Sequence, residues 1–159
     1  FLNVKGEANV LLKIKDAWAF LFSTRAILSL HEQKFDHFKA GVAVSVQKMI
    51  QAEKSGIMFT IDPVTNDKTK IIIKAIYGLD ELIVQGSVIP DHYEVSKNDF
   101  KITTKKIAAQ KIQLVKKGIE NKEVKIPQKK QTVQKISDKE IIDLAHIGKM
   151  LEKHSYFPQ

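Results

Sequence analysis

Five histidines, one arginine and a scatter of carboxylates are the side chains through which this chain could do chemistry. Cysteine is absent, which excludes thiol nucleophiles, thiolate metal sites and disulfides. His31 and His37 stand too far apart to act as an i, i+4 metal pair on a helix. His92, His146 and His154 are dispersed, so each histidine reads as structural or as a surface group. Glu32 and Asp36 lie one turn apart and would share a helix face, where solvated charges explain them more simply than acid–base catalysis. Arg25 is the only arginine among 26 basic residues. Its planar fork suits bidentate binding of a carboxylate or phosphate, and a salt bridge within its own helical segment is the alternative. Asp62 before Pro63 and Asp91 after Pro90 read as turn residues, Asp91 also as a group that orients the loop near Gln85.

The elements that must position these groups follow from periodicity. Glu7 to Phe38 contains neither Pro nor Gly, and Val10, Leu11, Ile14, Ala17, Trp18, Leu21 and Phe22 recur at helical spacing. That pattern predicts a helix with one packed face, starting near Gly6 and Asn9 and broken near Ser23-Thr24. Strands are expected at Val42–Ile50, Ile57–Ile61 and Lys70–Tyr77, joined by polar turns at Gln51–Gly56 and Asp62–Asp67 into an antiparallel meander. A short helix between Gly78 and Gly86 and a hairpin of His92–Val95 with Phe100–Thr103 come next. The lysine-rich stretch from Lys105 to Gln134 is only weakly patterned. Ser137 with Glu140 three residues on forms a capping box for a last helix, with Ile141, Ile142, Leu144, Ala145, Ile147, Gly148 and Leu151 on its apolar face and Pro158 at its end. The expected class is α+β, an antiparallel sheet with flanking helices.

At 159 residues and 43% hydrophobic content the chain has the size and composition of one ordinary globular domain. No signal peptide is visible and no apolar run approaches membrane-spanning length, which makes the cytoplasm the default expectation. The net charge of +8 falls wholly on residues 97–159, the first 96 being balanced. Such a basic segment could attract a nucleic acid. Phe100 is its only aromatic residue before Tyr156, so the stacking platforms of single-strand binders are missing and a solvated lysine surface is the better reading.

Several stretches in fixed order carry a family resemblance. They are Val46-Gln47-Lys48-Met49-Ile50, Ser55-Gly56-Ile57-Met58-Phe59-Thr60, Asp62-Pro63-Val64-Thr65, Ala75-Ile76-Tyr77-Gly78-Leu79, Val84-Gln85-Gly86, and Pro90-Asp91 with Tyr93. Leu2–Gly6, Trp18 to Ala26, His154 and Tyr156–Gln159 extend the likeness over the whole chain. The chain resembles the ATP-grasp nucleotide-binding domain of the phosphoenolpyruvate synthase and pyruvate phosphate dikinase family, the synthase branch more than the dikinase or rifampicin phosphotransferase branches. On that resemblance residues 1–159 are a single partial domain, with 97–159 as its lysine-rich C-terminal portion.

The resemblance implies ATP with Mg2+ as ligands. It also implies partner domains, one carrying a phosphohistidine and one binding pyruvate, and an overall conversion of pyruvate, ATP and water to phosphoenolpyruvate, AMP and phosphate. It assigns the adenine hinge to the backbone of Gln47 and Met49, with Lys48 between them, Glu53 towards the ribose and Arg25 as a further cofactor-binding residue. A core strand with exposed Gln and Lys is the plainer alternative for that hinge. No catalytic or metal-ligating residue is expected within the chain. The family's phosphate-binding lysine and arginine, and its Asp-x-Glu and Gln-x-Arg motifs, lie upstream of Phe1 and downstream of Gln159. The segment alone is therefore expected to be inactive, or to serve as a binding or assembly module whose exposed apolar face favours homo-oligomers. Lys74 stands where the family often has an acidic residue or Asn, Leu30 where Arg is common, and Asp80 where Gly is usual. In a fluorescence-polarisation titration, single-stranded DNA should bind negligibly at both low and high salt. An affinity that falls steeply with salt would reverse the reading of the basic segment.

Overall fold

Three consecutive isoleucines, Ile71–Ile73, mark the centre of the strand on which the larger part of the fold is built, and all three are buried. The computed structural model describes residues 1–118 and 120–159. It divides into a unit of residues 1–50 with 117–121 and a unit of residues 51–116 with 122–159.

In the first unit, Gly6 sits at φ 81° and opens α1 (Glu7–Ala19). A 3-10 turn (Phe20–Phe22) ends where Ser23 becomes extended, and the Ser23 hydroxyl then accepts the Ala26 N–H to cap α2 (Thr24–Glu32). The break thus falls at the expected place, because a Ser with extended backbone satisfies a helix N-terminus that an uninterrupted helix would not have. A second 3-10 turn (His37–Lys39) starts under Asp36, whose carboxylate accepts the Phe38 N–H at 3.0 Å.

Two expectations fail here. The apolar stripe of α1 is present, but no residue of either helix is fully buried, and Leu11, Trp18 and Phe22 are 60%, 52% and 66% exposed. Helical periodicity shows which face a partner would cover and does not supply the partner. Val42–Ile50 forms no strand. Its β-branched residues favour extended backbone, yet a strand also needs a ladder, and none of the described residues pairs with it.

The second unit is an antiparallel meander of β1 (Lys54–Phe59), β2 (Lys70–Tyr77), β3 (Asp91–Ser96) and β4 (Ile102–Lys106), in that spatial order. β1 starts within the stretch that composition marks as a turn. The reason is Gly56: paired with Ala75, it lies so close to β2 that a Cβ would sit 2.2 Å from the Lys74 carbonyl oxygen. After β2, Gly78 turns the chain at φ 82° into α3 (Glu81–Val84). Asp80 has an ordinary right-handed conformation, φ −69°, so it needs no glycine-like freedom. The lysine-rich stretch contains a hairpin of β5 (Ile112–Lys117) and β6 (Glu120–Lys125), then α4 (Gln128–Gln131). Gln110, almost fully buried, continues β2 with its side chain: its amide oxygen accepts the Tyr77 N–H and its NH2 donates to the carbonyls of Tyr77 and Ile112. The structure is α+β, with antiparallel sheets and helices. Among the described residues no helix is long and apolar enough to cross a membrane.

α5 (Asp138–Ser155) opens with the expected capping box between Ser137 and Glu140. It lays Ile141, Ala145 and Gly148 on the sheet face formed by Ile71, Ile73, Ala75, Tyr93 and Val95. Each isoleucine so buried contributes about 1.5–3 kcal/mol. Ile147 and Leu151 stay half exposed at the rim. Tyr156 ends the helix in the left-handed region, φ 63°, and Pro158 follows.

Asp91 departs most from its turn reading. It is fully buried, and so is Lys135. The Lys135 ammonium lies 2.8 Å from Oδ1 of Asp91, and the same oxygen accepts the Ala108 N–H at 2.9 Å. Oδ2 accepts the Tyr93 hydroxyl at 2.8 Å and the Lys135 N–H at 2.9 Å. The Lys135 ammonium also donates to the Ala108 carbonyl. Burial, followed by the bond to Asp91, pushes the Tyr93 hydroxyl well above the usual tyrosine range.

Asp91→Ala should cost about 3–5 kcal/mol in a urea unfolding curve, because it leaves the Lys135 ammonium buried without a counter-charge. Replacing both partners, Asp91→Leu with Lys135→Met, should cost less than that single change. Acid should also destabilise the fold. The Lys70 ammonium holds Glu94 below its ordinary 4.5, and bonds led by the Ser96 hydroxyl bring Asp99 down to about 2 from 3.8. Asp138, bonded by Lys105, and Glu140, bonded by the Ser137 N–H, are lowered as well. Depressed folded values stabilise the native state above the unfolded values, and that contribution is lost as pH falls through the folded ones. The thermal midpoint should therefore be level just above pH 5 and fall progressively from about pH 4.5 downward.

Candidate functional site

The residues 42–50 that fail to form a strand lie along α1 in the first unit, tied to it where the Trp18 indole donates to the Val42 carbonyl at 3.2 Å. Between them is a cavity of about 650 Å3, within the roughly 300–1,000 Å3 range of small-molecule sites. One wall is the half-buried stripe of α1, Val10, Ile14 and Ala17, with Phe20 beyond it; the other comprises Val42, Val44, Val46 and Met49. Helical spacing places the first set on one face, and the second comes from consecutive residues outside any helix or strand.

Polar groups enter at the margins. Lys13 and Asp16 form an ion pair at 2.8 Å on α1, and the Lys13 ammonium stands 4.9 Å from the centroid of the Phe1 ring. Asn3 is buried, with its amide donating to the side-chain carbonyl of Asn121. Ser45, Gln47 and Lys48 complete the polar lining. Among the described residues no hydrogen bond engages the backbone of residues 43–50. A flat heterocycle needs two things from a protein: apolar surface on its faces, and backbone donors and acceptors along its edge. This cavity offers both, since unpaired N–H and C=O groups border apolar walls.

Gln47, Lys48 and Met49 all line this cavity, Gln47 and Lys48 exposed and Met49 half-buried. Glu53 and Arg25 are not among its lining residues. Glu53 is exposed at the start of the second unit, where its carbonyl accepts the Gly78 N–H at 2.8 Å. Arg25 is exposed in the first turn of α2 and has no hydrogen bond or ion pair among the described residues. The intrahelical salt bridge that would explain a lone arginine is therefore not formed. Sequence reasoning missed Asn3, Lys13, Asp16 and Phe20 as lining residues. The i, i+3 charge pair on the helix was the available signal for two of them. Among the described residues no three His, Asp or Glu side chains converge to hold a metal ion.

Comparison with known proteins gives a consistent result. Residues 1–159 match the family described as "Pyruvate phosphate dikinase, AMP/ATP-binding domain". The chain is 43% identical over 156 residues to a probable phosphoenolpyruvate synthase of Methanocaldococcus jannaschii, covering 97% of the chain and 13% of that relative. It is 42% identical over 159 residues to a probable phosphoenolpyruvate synthase of Archaeoglobus fulgidus, covering 100% and 21%. A rifampicin phosphotransferase of Bacillus cereus is 38% identical over 162 residues, covering 100% and 18%. The chain thus spans between an eighth and a quarter of the length of the curated relatives it matches.

Proposed function

The chain belongs to the pyruvate phosphate dikinase AMP/ATP-binding domain family, and from that premise we propose that it is the ATP-binding portion of a phosphoenolpyruvate synthase. The adenine ring enters between the α1 stripe and Val42–Met49, and its edge is read by the backbone of Gln47 and Met49. Lys48 stays outside the ring plane, and Glu53 takes the ribose. Arg25 meets a phosphate, which accounts for an arginine whose side chain has no partner among the described residues. Mg2+ arrives on the phosphate oxygens of ATP. Both units are parts of one nucleotide-binding domain, of which residues 97–159 are the lysine-rich portion.

In the whole protein, ATP would phosphorylate a histidine on another domain, and that group would pass to pyruvate on a third. The products are phosphoenolpyruvate, AMP and phosphate, formed in the cytoplasm. The isolated chain binds without turning over. The observation that carries this reading is the cavity bordered by Gln47–Met49, with its apolar walls and unengaged backbone.

A second reading, a binding or assembly module that keeps the fold without the chemistry, draws on the exposed Leu11, Trp18 and Phe22. It requires self-association, which light scattering would detect as a mass above that of the single chain.

Isothermal titration with MgATP should give weak, saturable heat at up to millimolar nucleotide. Ala17→Trp, which fills the cavity from the helix side, should abolish it. Absence of heat from the unaltered chain at millimolar nucleotide would contradict adenine seating here, and so would undiminished heat from the filled variant.

A further inference from the structure

Five lysines lie on the strands of the four-stranded sheet: Lys54, Lys70, Lys74, Lys105 and Lys106. Three have carboxylate partners, Lys54 with Glu140, Lys70 with Glu94 and Lys105 with Asp138. Lys74 and Lys106 have no hydrogen bond or ion pair among the described residues. The register puts these two in one row: Lys74 is directly opposite His92, and His92 is directly opposite Lys106.

Strand alternation sets this row on the sheet face away from α5, since the neighbours Ile73, Ala75 and Tyr93 point into the helix-covered core. Cross-strand partners bring Cβ atoms to about 4.5–5.5 Å, so His92 lies within reach of both lysines. Among the described residues, the carboxylate bonded to the row is Glu94. It is already engaged by Lys70 at 2.9 Å, and the His92 ring nitrogen is only 3.4 Å from its other oxygen. Lys74 is half-buried, so its charge is less screened than that of a free surface lysine. A sheet that pairs its other strand lysines leaves unpaired two that flank an imidazole.

We propose that Lys74, His92 and Lys106 form a binding row for a phosphate oxyanion on the sheet face away from α5, where the flanking Ile72 and Ile76 are buried while Lys74 and His92 stay half-buried and Lys106 exposed. A tetrahedral phosphate offers several acceptor oxygens, and the row offers two ammonium groups and a ring N–H along one line across three strands. The anion supplies the counter-charge that the row lacks. A nucleotide's phosphate chain and a free phosphate share this chemistry. The first source rests on the nucleotide-binding role proposed above; the second does not.

The test uses the full chain at fixed ionic strength, with sodium tripolyphosphate, orthophosphate, MgATP and adenosine as separate probes, read by the His92 ring resonances and by calorimetry. Tripolyphosphate should move the His92 signals. In the Lys74→Gln/Lys106→Gln variant its Kd should rise about tenfold. Lys105→Gln removes a lysine that is paired with Asp138 and should leave that Kd unchanged. The unliganded double variant should melt no lower than the parent, because neither lysine side chain has a partner among the described residues.

Equal Kd values for parent and double variant would overturn the proposal. So would equal weakening by Lys105→Gln, which would mean diffuse attraction, or unmoved His92 signals at saturating tripolyphosphate. MgATP moving His92 identifies the nucleotide as the source, whereas orthophosphate moving it without MgATP identifies free phosphate. Adenosine bears only on the cavity at Gln47–Met49: if it binds while tripolyphosphate does not, the row fails and the nucleotide role stands, and the reverse outcome separates them the other way.

Discussion

The second unit is pinned by a fully buried ion pair. Asp91 begins β3, Ala108 lies in the chain after β4, and Lys135 leads into α5. None of these segments could reach the others' polar groups through water, because both charged side chains are buried. The carboxylate is satisfied by an ammonium, a hydroxyl and two backbone N–H groups. Coulombic attraction at low dielectric offsets a desolvation penalty of several kcal/mol per ion only when the geometry is this complete. The pair therefore acts less as a source of net stability than as a condition on the arrangement: the approach to α5 has one place to go, and the stripe of Ile141, Ala145 and Gly148 follows it onto the sheet.

That docking in turn decides what each face of the sheet can do. Odd-numbered residues of β2, Ile71, Ile73 and Ala75, are committed to the core under α5. The alternate residues of β2 and β3, the buried Ile72 and Ile76 together with Lys70, Lys74, His92 and Glu94, are left to the other face. The period of two along a strand keeps those side chains off the face that α5 covers. The first unit differs in kind. Its helices bury no residue completely, and the cavity at residues 42–49 borrows the half-buried side of an incompletely covered helix.

Legibility in the sequence follows the same division. Elements specified by local chemistry were readable: the Ser23 break, the Ser137–Glu140 capping box, the Ile71–Ile73 strand, and the short helix after Gly78. Elements that depend on a distant partner were not. Val42–Ile50 has strand composition and no ladder. Gln51–Gly56 has turn composition, yet it ends inside β1 because Gly56 permits close approach to the Lys74 carbonyl. Asp91 after a proline looks like a turn residue until Lys135, far along the chain, is seen beside it. Of the candidate binding residues, Gln47, Lys48 and Met49 come together on the cavity, while the opposite wall on α1 was visible only as a helical stripe.

The central claim is that apolar walls and an unengaged backbone at residues 43–50 form an adenine seat. It is tested most directly by a crystal structure of the chain with AMP bound. The account predicts the purine ring between Ala17 and Val46, with its edge hydrogen-bonded to the main chain of Gln47 and Met49. A ring found elsewhere, with the Gln47–Met49 main chain bonded only to protein or solvent, would contradict it.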